Sequence, residues 1–411
     1  MSGATRTDLR DPGAPTGAGV PEAAPACLPR LTDLPPDAFA RDVWSRTALL
    51  TPSRGDDFAD LFSAAAVDEL VSRRGLRTPF LRVAKNGATL PESSFTAPAG
   101  VGATVADQLD DTALWRHFAD GATLVLQALH RTWEPVADLC AGLSTELGHP
   151  VQANAYVTPP QNRGFDDHYD VHDVFVLQVT GTKRWIVHEP VLVDPLRDQP
   201  WTDRRDAVTE AAGRAPFLDT VLTPGDVLYL PRGWLHAAEA QGEVSVHLTL
   251  GVHAWTRHEL AEQLARTALA SLREDPRMRG SLPLGVSDGA LAADVALVRE
   301  HLAVALAKAD PAPRFHRARR AQGRPAALGP LTQLAALRGL APSSSVRLRA
   351  GLEPRLDGPR LHTRVGWLDL APSELRAVAR LLDGGPHTAA DLGLTLTERL
   401  LRSGVAVPAL P

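Results

Sequence analysis

His168 and Asp170 stand two residues apart in the stretch from Asn154 to Gln178, just ahead of an apolar run. In a β-strand, side chains two apart project to the same face, so an imidazole and a carboxylate would point together. With a third ligand from another strand, such a pair builds the 2-His-1-carboxylate face that holds non-haem Fe(II) and leaves coordination positions open. An HxD pair alone is common by chance and needs a partner. The segment from Gly225 to His236 supplies one, with Gly225, Pro231, Gly233 and His236 in the pattern G-x5-P-x-G-x2-H. That pattern reads as a strand running into a tight turn that presents a histidine, and it is far more specific than HxD.

Four other histidines compete for the third position: His172, His188, His247 and His253. His172 shares the parity of His168 and Asp170, but a fourth adjacent ligand would fill the positions that chemistry needs open. A single histidine on a strand is more often a hydrogen-bonded structural residue, so His236 is the best choice. Lys183 opens a strand close to the metal stretch and could meet an anionic ligand there; an ordinary surface lysine is the alternative. In the loop before His168, Asp166 and Asp167 could select a cationic substrate or simply be solvated, and the second is favoured. Trp234 would either wall the site or pack beneath it.

These residues need strands to carry them and helices to cover those strands. From Leu34 the pattern is helical, with Phe39, Val43 and Trp44, then Phe58, Leu61 and Phe62, then Val67, Leu70 and Val71. FLRVAKNGATL reads as a hairpin turning at Asn86-Gly87. The stretch TLVLQALHRTWEPVADLCAGLSTEL reads as one helix, with Gly148 as its stop. Val174–Val179 and Lys183–His188 read as two strands of a hairpin turning at Gly181. From Gly242 to Val252, Ser245, His247 and Thr249 alternate with apolar neighbours, as a strand lining a ligand-holding jelly roll would. The Gly-, Ala- and Pro-rich start, residues 1–30, reads as a flexible tail.

Composition bounds the rest. The chain has 411 residues, long enough for two or three domains, and only two cysteines, too few for a disulfide framework or a thiolate metal site. No long uncharged apolar run and no signal-peptide pattern is present, so a cytoplasmic location without a membrane partner is expected. The net charge of −5 conceals a basic second half, yet that excess is too dilute for a dedicated nucleic-acid binder.

Taken together, the HYD motif, Lys183 and the G-x5-P-x-G-x2-H segment resemble the JmjC-type cupin-4 oxygenases, the ribosomal-oxygenase group of 2-oxoglutarate-dependent protein hydroxylases. The resemblance implies a mainly β core with α, a double-stranded β-helix (cupin/JmjC jelly roll) binding Fe(II) through His168, Asp170 and His236. It implies 2-oxoglutarate and O2 as cosubstrates. Lys183, fifteen positions after His168, matches the family's basic residue for the distal carboxylate. Tyr156 and Thr249 match cosubstrate hydrogen-bonding positions, with Asn154 a weaker match.

By the same likeness, 31–255 is the catalytic domain, 256–325 a helical dimerisation domain and linker, and 326–411 a winged-helix-like domain. The expected activity is hydroxylation of a side chain in a protein or peptide, a ribosomal protein among the candidates, by a homodimer. Two alternatives stay open: the same chemistry on a small metabolite or biosynthetic peptide, and an idle cupin that binds nucleic acid through its winged helix.

Overall fold

The computed structural model describes residues 26–55, 57–98, 100–102, 104–285 and 289–409. Nine strands build the main sheet: β1 (Leu49–Thr51), β2 (Leu81–Lys85), β3 (Ala88–Thr89), β4 (Thr123–Leu126), β5 (Val151–Thr158), β6 (Asp173–His188), β7 (Leu218–Leu222), β8 (Val227–Leu230) and β9 (Leu235–Val252). Their order is β1-β8-β6-β9-β5-β4-β2-β3, with β7 added to β6, and the pairings are antiparallel.

The two longest strands organise the rest. β6 and β9 pair along nearly their whole length, with a register shift between Gln241 and Val246. Gly181 (φ 63) and Gly242 (φ 66) bend the ribbon there, so the sheet turns back on itself. Val174, Val176, Leu228 and Leu230 from one half then pack against Trp185, Val187 and Leu222 from the other. The opposite face of the larger half is covered by the entry helices, where Phe39, Phe58, Phe62 and Leu70 meet Leu81, Leu126, Ala155, Leu177 and Leu248. β5 shows the division residue by residue. Val151, Ala153, Ala155 and Val157 face the helices, while Gln152, Asn154 and Tyr156 face inward.

Three expectations change. Val174–Val179 and Lys183–His188 are not a hairpin but one strand, β6. Gly181 serves a bend in place of a turn, because a Cβ there would lie 2.2 Å from the Val244 carbonyl oxygen. The stretch starting at Thr123 is not one helix: Thr123–Leu126 is buried strand β4 between β2 and β5, and the long helix begins at Glu134. A short run buried on both sides satisfies either period, and pairing decided it. Gly148 does end the helix, in the left-handed conformation. The expected tail lies outside the described residues up to 25, but its last part is ordered, since Leu28–Leu31 is a helix that buries Leu28 and Leu31. Asn86 and Gly87, both with positive φ, make the expected β2–β3 turn.

After β9 come two long helices, Arg257–Leu272 and Ala292–Lys308, and a basic one, Ala312–Gln322. The remainder has its own core, in which Val346, Leu361, Leu370, Val378, Leu381 and Leu400 bring together two three-stranded sheets and the helices Leu375–Leu382 and Leu394–Arg402. Among the described residues no helix is long and apolar enough to cross a membrane.

Candidate metal centre

His168 and His236 face each other across an isolated antiparallel bridge. The His236 N–H donates to the His168 carbonyl at 2.8 Å and the His168 N–H returns to the His236 carbonyl at 3.2 Å. The tight turn holds the third residue, since Gly233, with φ 88, donates its N–H to the Asp170 carbonyl at 3.0 Å. Each imidazole has Nδ1 against a carbonyl two residues back, Asp166 O at 2.7 Å and Trp234 O at 3.1 Å. That fixes both rings with Nδ1 as the donor and leaves each Nε2 lone pair free to ligate. The Asp170 carboxylate lies 3.9 Å from His236 Nε2, and one ligating atom from each of the three residues falls within 4.8 Å of the others. Burial opposes the charge on Asp170, yet His172, His236, His168 and Arg82 together hold its carboxyl below the usual range. Burial, and then His168, push His236 down to about 4, so it stands neutral with its lone pair available.

Deeper between the two halves lies Lys183, 3% exposed. Its Nζ donates to Thr158 Oγ1 at 3.0 Å, and Thr158 in turn accepts from Thr123 Oγ1 at 3.1 Å. Among the described residues no carboxylate pairs with it, and burial lowers its pKa to about 7. Tyr156 lies flat on His247, with centroids 4.9 Å apart and planes within 3°. Burial raises Tyr156 to about 12. Trp185 sits 5.9 Å from the His236 ring and 5.5 Å from that of His247. Two buried nitrogens here, Trp185 Nε1 and His247 Nδ1, have no partner. The chamber therefore holds one buried lysine amine without an acid partner and orphaned polar groups beside a three-residue ligand set, the surroundings an anionic chelate would complete.

Residues 114–260 match the JmjC domain. The chain carries a JmjC domain. It is related to the ribosomal oxygenases: it is 32% identical to ribosomal oxygenase 1 of Homo sapiens over 267 residues, 63% of this chain and 39% of that protein. With ribosomal oxygenase 1 of Rattus norvegicus it shares 31% over 262 residues, 63% of this chain and 42% of that one. The chain thus spans about two fifths of the length of these curated relatives. Among solved structures, the ribosomal oxygenase YcfD from Escherichia coli in complex with cobalt and 2-oxoglutarate superposes with a TM-score of 0.57 at 19% identity, covering 92% of this chain and 99% of that one. The antiparallel sheet and the helices after it therefore share the fold of YcfD, in keeping with a JmjC jelly roll.

Around the JmjC centre the other sequence candidates separate. His172 stacks on His253 at 5.0 Å and His247 on Tyr156. His188 lies on the outer side of β6, where it lines a cavity of about 590 Å³ together with Glu210, Arg214 and Phe217. Among the described residues only His168, Asp170 and His236 form a cluster able to hold a metal. Thr249 is buried opposite Asn154 and Val176 on the inner face. Asn154 Oδ1 accepts the N–H of Ala128, a residue at φ 56, so that oxygen is engaged in holding the β4 exit. Asp166 is exposed and paired with Arg163 at 2.7 Å. Trp234 is buried in the cluster with Val174, Val176 and Trp185 and stands edge-on to Phe217.

Sequence reasoning missed several neighbours of the JmjC centre. Trp201, from the 189–217 excursion between β6 and β7, comes within 6.4 Å of the His168 ring and carries Arg205 over its face at 4.7 Å. Phe165 stands 5.9 Å from His168 and 6.3 Å from Tyr156. Trp185 shares the parity of Lys183, a signal that was present in the sequence. Asp173, fully buried, accepts from Ser45 Oγ, Tyr229 OH and the Arg232 backbone at 3.0, 2.8 and 3.0 Å. It ties the entry segment to the strand that leaves the metal ligands.

Proposed function

We propose that this chain is an Fe(II)/2-oxoglutarate-dependent oxygenase that hydroxylates a side chain of a protein or peptide. The observation that carries the reading is the convergence of His168, Asp170 and His236 beside Lys183, a buried ammonium with no acid partner among the described residues. Two imidazoles and one carboxylate suit a divalent first-row metal, and three ligands on one side leave room for a chelating keto acid and oxygen. When bound, Fe(II) with 2-oxoglutarate and O2 supplies oxidative decarboxylation to succinate and CO2, with one oxygen atom entering a substrate C–H bond.

The chain's own residues bind and orient. His168, Asp170 and His236 would hold the metal, with the Asp166 and Trp234 carbonyls fixing the two rings. Lys183 would receive the distal carboxylate of 2-oxoglutarate, with Tyr156, Thr249 and Asn154 as further contacts. Trp185 and the aliphatic lining would keep water out. The names of the relatives favour a protein substrate, and ribosomal protein is the class we propose.

We further assign residues 31–255 to catalysis, 256–325 to dimerisation and linkage, and 326–411 to a winged-helix-like domain. The two long helices leave Leu269, Val298 and Val304 exposed, which favours a partner surface on a second copy. Three arginines of the last domain are already paired, Arg355 with Asp357, Arg360 with Asp369 and Arg364 with Glu353, which weighs against nucleic acid as the main partner. The deciding experiment is an anaerobic titration of the metal-free protein with Fe(II) and 2-oxoglutarate. The visible charge-transfer band of a chelated keto acid is expected in the wild type and not in His236→Ala. A folded wild type that gives no band removes the oxygenase assignment.

A further inference from the structure

Arg82 stands on β2, and the sheet register fixes the direction of its side chain. Arg82 pairs with Val125, Val125 with Tyr156, Tyr156 with His247, and His247 with Gln178. Laterally paired residues project to one side of a sheet. The neighbours within each strand, Leu81 and Val83, Leu124 and Leu126, Ala155 and Val157, all belong to the helix-covered core. Arg82 therefore points with Tyr156 and His247 to the inner face, where its charge is felt by both Asp170 and Tyr156. Its Nε is buried without a partner, and among the described residues no carboxylate forms an ion pair with it. The acid of the nearby loop, Asp166, is held by Arg163.

The charges of the assembled centre show what is missing. A divalent metal with Asp170 leaves one positive charge, and Lys183 with dianionic 2-oxoglutarate leaves one negative, so these four cancel. Arg82 is then a surplus cation in a poorly solvated place. A guanidinium presents its donors as a rigid planar fork that matches a carboxylate. Resting on the oxygenase reading above, we propose that Arg82 forms an anion subsite beside the metal centre that receives a substrate carboxylate, from an aspartate, a glutamate or a chain terminus near the oxidised residue. Arg82 is thus a specificity-determining residue, and the peptide segment accepted is acidic on that side.

The test uses the full chain loaded anaerobically with Mn(II) and 2-oxoglutarate. Fluorescently labelled peptides, each with a central His or Arg and with Asp or Glu at one flanking position or the chain end, are compared with their Asn, Gln and amidated counterparts by anisotropy. Wild type should prefer acidic peptides at one position by tenfold or more. Arg82→Gln should lose that preference, and Arg82→Lys should keep part of it. No preference in wild type, or one that persists in Arg82→Gln, overturns the subsite. The Fe(II)–2-oxoglutarate band separates the two readings: wild type and Arg82→Gln should form it at the same 2-oxoglutarate midpoint. A band lost only in the variant assigns Arg82 to the cosubstrate and overturns the subsite, whereas a band absent from wild type strikes the oxygenase reading itself.

Discussion

Replacing Lys183 with Met should make the ligand-free protein more stable and a much poorer binder of 2-oxoglutarate. Burial takes the ammonium from an ordinary 10.5 to about 7, a difference of about 5 kcal/mol between the charged and neutral forms. The sign follows from proton counting. Between those two values the unfolded chain holds the proton and the folded chain does not, so wild-type stability rises with pH from 7 toward 10.5. At pH 7 nearly the whole penalty is present. Met removes it and forfeits the hydrogen bond to Thr158, which contributes about 1 kcal/mol. The variant should gain about 3 kcal/mol at pH 7, and the gain should vanish near pH 10. Loss of a buried charged partner for the carboxylate should weaken 2-oxoglutarate binding by about 2–5 kcal/mol. Thermal melts of both proteins from pH 6.5 to 10, with and without Mn(II) and 2-oxoglutarate, measure each term. A variant less stable than wild type at pH 7, or one whose melting point keeps the wild-type pH slope, would refute the reasoning.

Three further perturbations test the frame. His236→Ala should lower affinity for Co(II) or Mn(II) by at least about 100-fold, because a direct ligand matters more than the outer contacts that already tune affinity to that extent; isothermal titration reads it. Gly181→Ala places a methyl 2.2 Å from the Val244 carbonyl oxygen at a φ of 63°. It should cost about 2–4 kcal/mol in urea unfolding. Asp173→Asn leaves Arg232, 11% exposed, with Asp194 as its one charged partner beside the Ser45 hydroxyl, and a loss of about 3 kcal/mol is expected in the same assay.

The chemistry was easier to read in the sequence than the sheet that carries it. His168 and Asp170 are near neighbours, and the turn presenting His236 needs Pro231 and Gly233 at fixed spacing, so local pattern suffices. Lys183 was visible as a spacing, but its burial against Thr158 was not. Arg82, Trp201 and Asp173 were out of reach, because each acquires its place from register across strands or from an excursion folding back, and neither leaves a periodic trace. Thr123–Leu126 was misread because a threonine and three apolar residues buried on both sides fit a helix as well as a strand. Gly181 was misread because a glycine with positive φ serves a tight turn and a bend in a continuous strand equally well. In both places long-range pairing made the choice.

The excursion from 189 to 217 begins where β6 ends and returns where β7 pairs back on β6, Leu218 against Val187, with Phe217 N–H on the Val187 carbonyl at 2.8 Å. Its two ends are clasped together, so the chain leaves the sheet and re-enters it at one place. Yet Trp201, at its middle, reaches the His168 ring. Tyr169 OH on the Gln199 carbonyl at 3.0 Å and Arg232 on Asp194 at 2.9 Å pin it between those points, so a substitution within 189–217 should be felt at the His168–His236 bridge even where it touches neither imidazole.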